Sequence, residues 1–341
     1  MSLSFKNIVF PEEWQVPPND YIFIDDCYEE ALQFNLFERG DEKSYTWMYH
    51  TISCCAYFWC KCSRSEMKLI GHLMLWTFLL DDILDSDKVN DAEAIEMIKR
   101  TEFIFIEGKL PENPTDLEKY TCYLRNEGLK IAGDREDMFN MFLTNSIQWI
   151  LSIIPLNKSM EHKLPPHLQL HGYLRKLNVG VELCQGFTYL IFANNKVNPA
   201  IFNSPRYKKM LECTSMVVSH VNDMASYCKE VKNGGGFINS LLILQKRADP
   251  LSIEHSYQVI AEQTNAFIRD FIYQEKMLLE SISDEQQNEV KVFLDHMKYL
   301  MKGNYLWSGT TARYASKSSP FVEMQKSLNV HLDNEIDASS L

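Results

Sequence analysis

No apolar run of about 18 residues occurs anywhere in the 341-residue chain, so no segment is expected to cross a membrane as a helix. The start, "MSLSFKNIVFPEEWQ", lacks the apolar stretch of a secretory signal, which points to a cytoplasmic protein. There is no glycine-rich phosphate loop between a strand and a helix, and no HExxH zinc pair. None of the nine histidines stands in a serine or cysteine nucleophile context, so hydrolase chemistry has no support. Alternating strand patterns are scarce. Positive charge is in deficit: 34 Lys and Arg face 46 Asp and Glu, a net charge of -12. Nucleic acid or an anionic membrane would want a basic stripe, and neither is an expected partner. Nine cysteines are an odd number with no zinc-site spacing, and we expect them to be reduced core residues.

What the chain does have is helical periodicity. "EMKLIGHLMLWTFLLDDILD", "DAEAIEMIKRTEFIFIEGKL" and "SIEHSYQVIAEQTNAFIRDFIYQEKMLLESI" repeat apolar residues at three- and four-residue spacing. Breaks fall at Pro111 and Pro114, Pro165 and Pro166, Pro199 and Pro205, and at "NGGG" from Asn233 to Gly236. The pattern predicts an all-α, single-domain helical bundle. Residues 1–44, with Pro11, Pro17 and Pro18, read as an extended N-terminal lead-in. Residues 45–315 read as the helical domain, and 316–341 as a loose polar tail.

Two polar clusters interrupt this apolar pattern. "VNDMASYCKE" spaces Asn222, Ser226 and Glu230 four apart, within a stripe roughly 80° wide on a helix, with Lys229 beside it. "FLLDDILDSD" ends an apolar helix in Asp81, Asp82 and Asp85, of which Asp81 and Asp85 share a face. Carboxylates there repel one another and sit at the unfavourable pole of the helix dipole. A divalent cation removes both objections. Amide, hydroxyl and carboxylate oxygens are hard ligands, which suits magnesium shared with a substrate phosphate. Read singly, each cluster is equally a solvated helix surface; together they favour a metal.

The motifs carry a resemblance. "DDILD" matches the aspartate-rich DDxxD motif, and "NDMASYCKE" matches the NDxxSxxKE second metal motif of microbial class I terpene synthases. Arg175 in "YLRKLNVGVELC" and the Arg313–Tyr314 pair in "WSGTTARYAS" resemble that family's diphosphate-sensing arginine and RY pair. Asn178, Val179 and Gly180 depart from the family's usual trigger sequence after the arginine. The resemblance covers roughly residues 45 to 315 and implies a helical bundle around a central cavity. It implies a magnesium-dependent lyase, most simply a sesquiterpene synthase acting on farnesyl diphosphate, as monomer or homodimer.

Site roles follow from that resemblance. Asp81 and Asp85 on one side, and Asn222, Ser226 and Glu230 on the other, would hold three Mg2+ ions with the diphosphate. Asp82 would orient a bound water or a basic side chain. Arg175, Lys229 and Arg313 would donate charge-assisted hydrogen bonds to the diphosphate, and Tyr314 a hydroxyl. Aromatic faces would stabilise the carbocation, with Phe58, Trp59, Trp76, Phe78, Phe187 and Trp307 as candidates. A chain-elongating prenyltransferase of the same fold, or an inactive helical prenyl-diphosphate binder, are the alternatives. The first usually carries aspartate-rich motifs on both sides, unlike this chain.

Overall fold

The structure is a computed structural model that describes residues 2–84, 89–161, 167–232 and 239–325, with backbone only for 154–161. Apart from a bridge between Leu3 and Phe321, the regular structure of these residues is helical. The chain divides into two compact units. One comprises Pro17–Leu151, Gly186–Asn194 and Val330–Leu341; the other comprises Met1–Val16, Ser152–Gln185 and Asn195–Asn329.

The first unit holds α1 (Ile22–Gln33), α2 (Glu42–Ile52), α3 (Cys55–Phe58), α4 (Arg64–Leu84), α5 (Asp91–Glu107), α6 (Asp116–Ala132) and the start of α7 (Glu136–Glu161). The lead-in expected to be extended therefore carries a 12-residue helix, α1, which buries Phe23, Ile24, Cys27 and Ala31. Its pattern is short, and Pro17 and Pro18 just before it mask it in the sequence. Helix α4 is apolar nearly all round, as a buried helix must be, and packs on α1, α2, α3 and α6. A methyl group on Gly71 would stand 2.6 Å from Cys27 Sγ, so glycine permits the close crossing of α1 and α4. The break at Pro111 and Pro114 falls between α5 and α6, as expected. Helix α5 ends on Gly108 in the left-handed region, and Thr115 and Glu118 form the capping box of α6.

The second unit holds α8 (Leu168–Asn178), most of α10's surroundings and α10 itself (Pro205–Lys232), α11 (Ser240–Lys246), α12 (Ile253–Leu279) and α13 (Asp284–Ser308). Helix α9 (Val181–Ile191) contributes residues to both units. Pro205 opens α10 at the first helical position, where its missing N–H costs nothing. Helix α10 is held by several neighbours. His220 Nδ1 meets Thr264 Oγ1 of α12 at 2.9 Å, Asn304 of α13 donates to Val218 O at 3.2 Å, and α8 packs alongside. Pro165, Pro166 and the Asn233–Gly236 run lie outside the described residues.

The expected loose tail is packed over its described part, 316–325. Phe321 is fully buried against Phe5 and Tyr257, and Leu3 and Phe321 pair through Leu3 N–H to Pro320 O and Val322 N–H to Leu3 O. Two aromatic and aliphatic anchors in a polar stretch suffice to bury it, which a composition-based reading overlooks. Among the described residues no helix is long and apolar enough to cross a membrane.

Candidate active site

In the first unit, Asp81 and Asp82 lie in the last turn of α4 and are half-buried. Asp82 Oδ2 accepts a hydrogen bond from the Trp47 indole of α2 at 3.0 Å. Asp85 lies outside the described residues. The aromatic candidates of this unit differ in role. Trp76 is core: its indole donates to Thr121 Oγ1 at 2.9 Å while its ring packs edge-on against Phe105 and Trp149. Trp59 stacks on Phe187 at 6.4 Å and donates to Thr188 Oγ1. Phe58 is buried, and Phe78, one turn before Asp81, is half-buried.

In the second unit, α10 carries Asn222, Ser226 and Glu230 along one face, as the spacing predicts. Ser226 is buried, Glu230 half-buried and Lys229 exposed. Asn222 is the meeting point. Its Oδ1 accepts from Arg175 Nη2 at 2.9 Å, and its Nδ2 donates to the Tyr314 hydroxyl at 2.9 Å. A guanidinium only donates, so the amide orientation is fixed: the oxygen must face Arg175. Two of the residues singled out in the sequence, Arg175 and Tyr314, thus converge on the amide of a third. Trp307 packs edge-on to Tyr314 at 5.6 Å, and Arg313 follows on the same turn, η2 (Ala312–Tyr314), whose start Thr311 caps. These contacts seat η2 against α10.

Arg175 is buried near the end of α8, where Gly180 at φ 81° separates α8 from α9. Only glycine enters that left-handed region without strain, so Gly180 marks the break between the two helices. Two residues escaped the sequence reading. Asp223, one position past Asn222, is buried and accepts from Arg175 Nη2 at 2.8 Å. His171, one turn before Arg175 on α8, approaches the same carboxylate at 3.7 Å. Burial alone would raise the Asp223 pKa, but the Arg175 charge, the His171 contact and the Ser240 N–H hold it well below the usual carboxylate range. The available signal was the acid inside the "ND" pair and the four-residue spacing of His171 and Arg175.

This donor set fits a hard cation. The oxygens of α10 are amide, hydroxyl and carboxylate, and the one on Asn222 already faces a positive group. Among the described residues no group of three His, Cys, Asp or Glu side chains is gathered for a metal. No disulfide joins the nine cysteines, and burial pushes Cys62 and Cys213 up to about 12, away from nucleophile chemistry.

Comparison with known proteins places the chain. Residues 72–270 match the family model described as terpene synthase family 2, C-terminal metal binding. The chain is 44% identical to terpene synthase 2 of Dictyostelium purpureum over 340 residues, covering 98% of this chain and 100% of that one. It is 36% identical to terpene synthase 1 of Tieghemostelium lacteum, covering 96% and 92%. Among solved structures, wild-type cucumene synthase superposes with a TM-score of 0.73 at 15% identity, over 89% of this chain and 100% of that one. The linalool/nerolidol synthase of Streptomyces clavuligerus, solved with 2-fluorogeranyl diphosphate, gives 0.73 at 14%, over 89% and 99%. At such identities the likeness is one of fold, the all-helical class I terpenoid synthase architecture. The chain belongs to the terpene synthase family. It is a metal-dependent class I terpene synthase, a lyase, and nothing in its relatives supports a chain-elongating or inactive role.

Proposed function

We propose that the protein binds a prenyl diphosphate, farnesyl diphosphate first among them, and converts it to a sesquiterpene in the cytoplasm, with three Mg2+ ions held beside the diphosphate. Bound magnesium supplies Lewis-acid stabilisation of the departing diphosphate. Asp81, at the end of α4, and Asp85 would supply ligand oxygens, as would Asn222, Ser226 and Glu230 from α10. Asp82, fastened by Trp47, orients rather than ligates. The convergence of Arg175 and Tyr314 on the Asn222 amide carries this reading, because it gathers two anion-binding groups at a metal-ligand oxygen.

Arg175, Lys229 and Arg313 donate N–H groups to the diphosphate oxygens, and Tyr314 adds its hydroxyl. Placing several such donors where negative charge develops favours cleavage of the carbon–oxygen bond. Docking of the Arg313–Tyr314 segment excludes water from the carbocation. Aromatic faces, Phe78 and Trp307 foremost, stabilise that cation without attacking it.

Incubation of the purified protein with geranyl, farnesyl and geranylgeranyl diphosphate, followed by headspace analysis, tests the reading. A volatile hydrocarbon or alcohol that appears with magnesium and vanishes with excess chelator is expected. A longer prenyl diphosphate would instead reveal the elongating enzyme. Full activity in chelator would overturn the metal-dependent mechanism.

A further inference from the structure

Between the amide and the hydroxyl of the α10 stripe stands an acid that faces elsewhere. Asp223 follows Asn222, so its side chain is turned about 100° around the helix, away from the ligand face. It is 1% exposed. Its two oxygens have separate work. Oδ1 accepts from Arg175 Nη2 at 2.8 Å. Oδ2 accepts from the Ser240 N–H at 2.8 Å and from the Ser240 hydroxyl at 2.7 Å, at the first residue of α11. The Asp223 carbonyl accepts from Asn239 Nδ2 at 2.7 Å, while Asn239 Oδ1 caps α11. A carboxylate buried this deeply persists only when fully compensated, and this one is.

The guanidinium it holds is compensated only in part. Arg175 Nη2 is shared between Asp223 and Asn222, and Nη1 reaches Asn178 Oδ1 only at 3.3 Å. Nε is buried and has no acceptor among the described residues. Leaving such a donor unmade costs about 1–3 kcal/mol. An arginine serving the core alone would have no reason to keep it so. An arginine awaiting an anion would.

We infer that Asp223 is a positioning residue for diphosphate departure: it pins the Nη2 end of Arg175 so that Nε–H is presented to the leaving diphosphate. Its second oxygen fastens the first turn of α11 to α10, which keeps the carboxylate itself from swinging. The inference rests on the proposed function, since it needs a diphosphate as the anion.

Two measurements test it. The first is a double-mutant cycle with Asp223→Asn and Arg175→Lys, reading kcat and KM for farnesyl diphosphate. Asp223→Asn keeps the shape and removes the charge. Its kcat is expected to fall about 10- to 100-fold, the scale of a charge-assisted hydrogen bond, with KM moving much less. In the Arg175→Lys background the same substitution is expected to cost only a small fraction of that, because its target is gone. The second uses the wild-type protein, so it stands even where Asp223→Asn does not fold. The 15N resonance of Arg175 Nε, identified by its loss in Arg175→Lys, is expected to shift when magnesium and inorganic diphosphate are added together. An unchanged kcat in Asp223→Asn, an equal loss in both backgrounds, or an unmoved Nε resonance would each overturn the inference. A wild-type protein inert toward every prenyl diphosphate would instead overturn the proposed function, which keeps the two failures apart.

Discussion

Asn222 offers one ligand oxygen, and in the structure Arg175 faces it at 2.9 Å. That oxygen would be the residue's contribution to a magnesium site, and the Arg175 N–H facing it would serve the diphosphate. Removing the amide should therefore cost activity far more than stability. Asn222→Ala and Glu230→Ala are each expected to lower the turnover rate by about 100-fold or more, the scale of a lost metal ligand in a site of this type. Their melting temperatures should stay close to wild type, since alanine favours the helix and neither residue is core. Equal rates in mutant and wild type would return the stripe to a solvated helix face. Arg313→Ala should slow turnover about 10- to 100-fold through one lost charge-assisted donor. It should also raise the share of linear or hydroxylated products, read by gas chromatography. Unchanged rate and product ratio would remove Arg313 from the site.

At the scale of elements, the α8–α9 junction is the most constrained point near the site. Gly180 sits at φ 81°, two residues past the end of α8, which carries Arg175. An L-residue there meets its own carbonyl, at a cost of about 1–2 kcal/mol. Gly180→Ala should therefore lower the unfolding free energy by that amount, measurable by denaturant titration. No loss of stability would mean that the junction relaxes elsewhere. The end of α4 poses a different problem. Two carboxylates close a helix whose last turn already carries partial negative charge, and one of them is tied to Trp47 of α2. That tie fixes Asp82 beside Asp81.

At the scale of the whole molecule, buried histidines set the acid limit. His296 on α13 is 2% exposed, and its Nδ1 meets Gln185 Oε1 at 3.0 Å. Gln185 Nε2 donates to the Tyr207 hydroxyl, so Oε1 must be the acceptor and Nδ1 carries the proton. Burial pushes His296 down to about 3. The unfolded chain titrates this group near about 6.5, so between the two values it binds more protons than the folded chain. The stabilising difference is complete above the unfolded value and is lost as pH falls from about 6.5 toward 3, at up to about 1.4 kcal/mol per pH unit. Melting temperature should accordingly drop between neutral pH and pH 5. His296→Asn, whose amide replaces the Nδ1–H donor, should flatten that slope. An identical slope in the variant would exclude His296 as its source.

Local pattern was enough for much of this protein. The repeats that predicted α4, α5 and α12 recur within a few residues of the observed ends, because helical periodicity and capping are properties of neighbouring residues. Asn222, Ser226 and Glu230 were legible for the same reason: four-residue spacing fixes a face whatever surrounds the helix. Tertiary structure decided the rest. A short helix just after two prolines, α1, and the packed stretch around Phe321 are held by partners distant in sequence, which no window of neighbouring residues contains. Arg175, Asn222 and Tyr314 were each visible as residue types, but only the packing of α8, α10 and η2 makes one amide their common partner. Asp223 was hidden outright. On the sequence it is one more acid in a polar stripe, and only burial between α8 and α11 turns it into the charge that orients an arginine.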